Sequence, residues 1–205
     1  MADYRKIVPF ILAEERGENR DPKDPAAKRP APGGGGLHTN KGVTWGTFVD
    51  LAPKVGYKPT LALFRAMPAT VWGQIFKRGF WDEIGGDQIQ SQALADALVE
   101  FAYMASPGRA LSYARLVLRN LGHGYLKPKG TADRVLLAAI NGTNAQRLVA
   151  AYMAARLAFI KRGNPRYQKN WLLRYNKLKS YIARLGAAEP TQQVAGVNTL
   201  QQWQM

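Results

Sequence analysis

The sequence predicts a mainly α-helical globular fold, and three observations carry that prediction. Apolar residues recur at helical spacing in segment after segment, β-type alternation is scarce, and proline and glycine punctuate the periodic runs. The chain has 205 residues, of which 46% are hydrophobic and none is cysteine. That is enough to bury one core, or one core with a small appendage, without disulfide staples, and it excludes thiolate chemistry. No internal period marks a repeat array.

Tyr4, Ile7, Val8, Ile11 and Leu12 follow Asp3, a candidate N-cap, and the run ends near Gly17. The first helix is therefore expected to carry Glu15 at its C-terminal end. Residues 18–44 hold Asp21-Pro22-Lys23-Asp24-Pro25, Lys28-Arg29-Pro30-Ala31-Pro32, four glycines at 33–36 and Thr39-Asn40-Lys41-Gly42, the chemistry of a loop or irregular hairpin. A loop of that length inside a compact domain is more often functional or disordered than idle. Residues 45–81 read as short helices separated by Pro53, Pro59, Pro68 and Gly79, with Val71, Trp72, Ile75 and Phe76 on one apolar face, and residues 82–87 as a turn.

Leu94, Ala97, Leu98, Phe101 and Ala105 mark a buried helix ended by Ser106-Pro107-Gly108. Leu111, Ala114, Val117, Leu118 and Leu121 mark another over about 110–121, followed by a loop through Gly122, Gly124, Pro128 and Gly130. Residues 135–140 begin a helical stretch stopped by Asn141-Gly142, and residues 148–160 a longer one stopped by Gly163-Asn164-Pro165. Residues 171–185 form a last amphipathic helix, rich in Lys and Arg on its outer face. The Ala-, Gln- and Thr-rich stretch 186–205 has little to pack and is expected to be a flexible tail.

Lys and Arg number 29 against 14 acidic residues, a formal charge of +15. Such a field attracts nucleic acid, anionic lipid and the bacterial wall with its anionic polymers alike, so charge alone does not choose among them. The opening apolar run is broken by Pro9, too short for a membrane span, and lacks a signal-peptide pattern. Synthesis in the cytoplasm is therefore expected, with action at the wall or periplasm only after release or delivery. His38 and His123 are the only histidines, read here as surface or loop residues without a zinc site, and Gly33–Gly36 lacks the Lys-Ser/Thr of a phosphate-binding loop. That glycine run reads as a flexible connector. No metal and no organic cofactor are expected.

Hydrolysing a glycosidic bond with inversion requires a carboxylic acid to protonate the leaving oxygen and other groups to hold a water on the opposite face of the sugar. Glu15, ending an apolar helix beside a polar loop, is a candidate acid; Asp24, after eight intervening residues, and Thr39 are candidates to hold the water. On the residue pattern alone, a solvated Glu15 is the commoner reading.

A larger pattern carries more weight. Ile11-Leu12-Ala13-Glu14-Glu15-Arg16-Gly17, then Asp21-Pro22-Lys23-Asp24, then Gly35-Gly36-Leu37-His38-Thr39-Asn40-Lys41-Gly42-Val43-Thr44, resembles the N-terminal signature E-G-G, D-P-x-D, G-G-x-T-N-x-G-x-T of glycoside hydrolase family 108. Ile75-Phe76 with Phe80-Trp81-Asp82 is similar to its aromatic block, Leu98-Val99-Glu100-Phe101 to its central helix, and Trp171-Leu172-Leu173-Arg174 to its C-terminal Trp-Leu-x-Arg motif, so the likeness covers about residues 4–180. The family contains phage-type N-acetylmuramidases. The resemblance implies a lysozyme-like helical fold with a long N-terminal catalytic loop: a catalytic region over 1–108, a helical peptidoglycan-binding region over 109–185, and the tail 186–205.

It also implies an endo-muramidase acting on bacterial peptidoglycan, with anionic wall polymers as further partners and nucleic acid not expected as one. Carried over by position, Glu15 is the acid, Asp24 orients or activates the water, and Thr39 helps to hold it. Asn40 and Gly42 shape the floor of the cleft, and Trp45 is the tryptophan expected to be exposed for sugar stacking. Two departures sustain a rival reading, a catalytically impaired relative that binds peptidoglycan or serves a phage or secretion machine. Arg16 replaces the first glycine after the acid, and fourteen residues rather than five separate Asp24 from Thr39. A basic nucleic-acid-binding protein, the third reading, accounts for the charge and for none of the spaced motifs.

Overall fold

Residues 1–15 and 17–188 are described by a computed structural model. Arg16 and positions 189–205, most of the expected tail, lie outside the described residues. The fold is mainly α, as the periodicity predicts, with nine α-helices and one three-stranded sheet among the described residues.

Asp3 accepts from the Arg5 amide and opens a 3-10 turn, Tyr4–Lys6, that leads into α1, Val8–Glu14, where Pro9 sits in the first turn and needs no donor. Glu15 is the C-cap of α1, with φ −108° and ψ 78°, so the chain leaves the helix at the candidate acid. The loop-like stretch then contains β1, Glu18–Asn19, a 3-10 turn, Pro25–Lys28, β2, Thr39–Asn40, and β3, Val43–Thr44. The strands pair antiparallel in that order, Asn19 opposite Thr39 and Thr39 opposite Thr44. This small sheet lies within the stretch read as a loop or irregular hairpin, and its strand pairs of two residues are too short for alternation to register in the sequence.

Helices α2, Trp45–Leu51, α3, Leu61–Ala66, and α4, Ala69–Phe76, follow; Thr44 and Thr60 cap the first two through their side chains. A π-turn, Lys77–Trp81, extends α4, whose Val71, Trp72, Ile75 and Phe76 are all buried. α5, Gln92–Met104, is capped by Ser91 and is buried at every position from Gln92 to Tyr103. It is wrapped by α6, Pro107–Asn120, α8, Ala145–Lys161, and α9, Pro165–Ala188, with α7, Arg134–Gly142, packed against α6 and α8. Ser106-Pro107-Gly108 does more than end α5: Ser106 accepts from the Arg109 amide and Pro107 opens α6. Likewise Pro165 starts α9 rather than merely ending α8, so the last helix begins six residues earlier than its apolar periodicity indicates.

One contiguous apolar cluster runs from Ala2 to Ile182 and joins every helix to its neighbours. No helix among the described residues is long and apolar enough to cross a membrane.

Candidate active site

A cleft of about 900 Å³ opens between the β-sheet, α5 and the first turns of α9. Glu15, Asp24, Thr39 and Gly42 all line it, with Phe80, Tyr103, Tyr167, Trp171 and Arg174. The fourteen residues 25–38 therefore do not carry Thr39 away. They fold back on themselves: Ala31 donates to the Leu37 carbonyl at 2.7 Å, Gly34 to the Ala31 carbonyl at 2.9 Å, and Arg20 reaches the Gly35 carbonyl at 2.9 Å. The glycine run is thus a hydrogen-bonded turn rather than an open connector. Leu37, fully buried, anchors its return to the core.

The sheet fixes the polar side chains relative to one another. Asn19 sits opposite Thr39, and its amide donates to Asp24 Oδ2 at 3.1 Å, while Asp24 Oδ1 accepts from the Ala26 amide at 2.8 Å. Both carboxylate oxygens are thereby held. Lys41 and Gly42, with φ 47° and 76°, form the two-residue turn between β2 and β3, and both need the left-handed region. A Cβ on Gly42 would stand 2.8 Å from Glu15 Cδ and 2.6 Å from Tyr103 Cε1, so only glycine lets the turn approach Glu15. The Lys41 carbonyl accepts from Tyr103 Oη at 2.7 Å and Trp72 Nε1 at 3.1 Å, which pins the turn to α4 and α5. Burial, with the nearby Glu15 charge, pushes the Tyr103 hydroxyl far above its ordinary value, so it stays a donor.

The Glu15 carboxyl, 22% exposed, pairs with Nη1 of Arg174 on α9. The Arg174 Nε binds Glu100 on α5, and the other oxygen of Glu100 faces Arg156 on α8. Burial works against the charge on Glu100, but the two guanidiniums outweigh it and hold the carboxyl below the usual range. Burial likewise opposes the charge on Arg174, and Glu100 and Glu15 more than restore it. Sequence reasoning placed neither Glu100 nor Arg156 in this network. A carboxylate in a mostly apolar helix, directly between Val99 and Phe101, is the signal that it is buried and paired.

Other expected residues stand elsewhere. Asn40 is 3% exposed and spends its side-chain amide on the Phe64 and Arg65 carbonyls at 2.7 and 3.0 Å, closing the end of α3 rather than facing the cleft. Trp45, expected to be exposed, is 9% exposed and packed on Phe48 and Phe64 at 5.7 and 5.2 Å. The aromatic rings that line the cleft are Phe80, Tyr103 and the stacked pair Tyr167 and Trp171, whose centroids lie 5.6 Å apart. His38, read as a loop or surface histidine, is fully buried. Among the described residues, no three His, Asp or Glu side chains gather as they would around a metal ion.

Residues 8–105 match the family described as Glycosyl hydrolase 108. The solved structure entitled Structure of Brucella abortus SagA is similar at a TM-score of 0.69 and 26% identity, covering 88% of this chain and 94% of that one. The likeness to it therefore extends well past residue 105 into the C-terminal helices. No curated protein sequence matches this chain.

Proposed function

We propose, from the premise that residues 8–105 of this chain belong to the glycosyl hydrolase 108 family, that the protein is a peptidoglycan hydrolase cutting the glycan strand as an endo-muramidase. The observation that carries this reading is the convergence of Glu15, Asp24 and Thr39 on one cleft across the residues 25–38. In the proposed reaction Glu15 protonates the glycosidic oxygen and the leaving sugar departs. Asp24 takes the proton of a water held with Thr39, whose oxygen attacks the anomeric carbon from the opposite face and inverts it. Arg174 orients the Glu15 carboxyl, and Tyr167 and Trp171 offer an aromatic surface to the apolar faces of the sugars.

The C-terminal helices 109–185 would hold the wall, with the net charge of +15 adding attraction to anionic wall polymers. The protein would reach its substrate after release or delivery from the cytoplasm. The test is clearing of purified peptidoglycan. Glu15→Gln should abolish it, a loss of at least about a hundredfold for a removed general acid, while leaving sedimentation with the wall intact. Retained clearing overturns the assignment of Glu15. Sedimentation without clearing by the unmutated chain would favour the rival reading of a wall-binding relative.

A further inference from the structure

His38 lies beneath the cleft, fully buried between the β-sheet and the loop that carries Asp24. Its backbone is held on both sides, the amide donating to Asn19 O at 3.1 Å and the carbonyl accepting from the Trp45 amide at 2.8 Å. Its ring makes two contacts. Nε2 lies 3.2 Å from the Asp21 carbonyl and Nδ1 lies 2.9 Å from Thr39 Oγ1. A carbonyl oxygen can only accept, so Nε2 carries the proton. In the neutral ring, whose single proton is then on Nε2, Nδ1 is a bare acceptor and the Thr39 hydroxyl donates to it. Thr39 has one proton and it is spent on the histidine. What its oxygen turns to the cleft is therefore lone pairs.

We propose that His38 is a positioning residue that fixes the Thr39 hydroxyl as an acceptor toward the cleft, so that Thr39 accepts a hydrogen bond from the attacking water, whose other proton passes to Asp24, and aims the water's own lone pair at the sugar. The proposal rests on the hydrolase reading given above. Were Thr39 free to rotate, it would as readily donate to the water and occupy the lone pair needed for attack. The same ring ties the acceptor to the Asp24 loop through Asp21, so the two water-holding groups share one support. Both contacts use the side chain alone, which makes them removable without touching the strand pairing.

Three measurements test this. Nitrogen-15 NMR of the imidazoles reads the tautomer in the unmutated protein, where His38 and His123 are the only two histidines; the Nε2–H form is expected at His38 and the Nδ1–H form overturns the proposal. In turnover, His38→Leu should lower kcat by about tenfold or more, with KM within about twofold, and His38→Asn, whose Oδ1 replaces the Nδ1 acceptor, should recover most of that loss. Finally, in a Thr39→Val background His38→Leu should lower kcat no further, since its effect runs through the hydroxyl. Full kcat for His38→Leu, or additive losses in the double variant, overturns the role of His38 alone. No cleavage by the unmutated chain overturns the hydrolase reading and this proposal with it.

Discussion

Gly42 shows how a single residue can be required twice over, for its backbone and for its emptiness. Its φ of 76° disfavours any side chain, and the space above it is filled by Glu15 and Tyr103. Gly42→Ala should cost about 1–3 kcal/mol of stability in urea unfolding and lower peptidoglycan turnover more than that loss explains, because the displaced atoms belong to the proposed acid, Glu15. Glu100 makes a prediction of a different kind. Its carboxyl pKa is depressed in the folded protein, so its contribution to stability is complete above the ordinary carboxylate range and is lost as pH falls through the folded value. Urea midpoints followed from neutral pH into the acid range should fall, and Glu100→Gln should show a shallower fall from a lower starting stability, the buried guanidiniums having lost their counter-charge. An unchanged slope would place the acid lability elsewhere.

At the scale of elements, α7 depends on one side chain at its start. Asp133 accepts from the Leu136 amide at 2.8 Å and from Arg115 Nη2 at 2.7 Å, and these bonds hold its carboxyl below the usual range. Asp133→Ala should destabilise the protein by about 1–2 kcal/mol in thermal or urea unfolding, with no change in KM on the remote cleft. The long helices were legible in the sequence because their apolar stripes repeat over three or more turns, as in α5 and α8. Their starts were less so: Ser106-Pro107 and Asn164-Pro165 read as stops, although Ser or Asn before Pro is equally a cap and a first turn. The site was legible in part. Glu15, Asp24 and Thr39 could be named from the resemblance to the family signature, yet their meeting depends on strand pairs of two residues and on a turn sealed by Leu37, which no periodicity reports. Trp45 was misplaced because a tryptophan beside a polar turn gives no sign of the Phe48 and Phe64 rings that cover it. Arg174, on the motif Trp171-Leu172-Leu173-Arg174, was visible as a pattern and silent as to which carboxylate it would reach.

At the scale of the molecule, the proposed function gives the charge of +15 and the cleft different steps. Raising ionic strength from about 0.05 to about 0.5 M should release the protein from wall carrying anionic polymers, while turnover of short uncharged glycan fragments changes little. Equal losses in both assays would tie the charge to the cleft itself. Glu15 and Arg174 are 159 positions apart, and the second partner of Arg174 lies on α5, the helix that α6, α8 and α9 enclose. The consequence is one of heredity. A recombination joint between the family-matched segment and α8 would part Glu100 from both Arg156 and Arg174, one between α8 and α9 would part it from Arg174 alone, and either would part Glu15 from Arg174. Gene shuffling that treats the N-terminal half as a portable cassette should therefore yield few folded progeny.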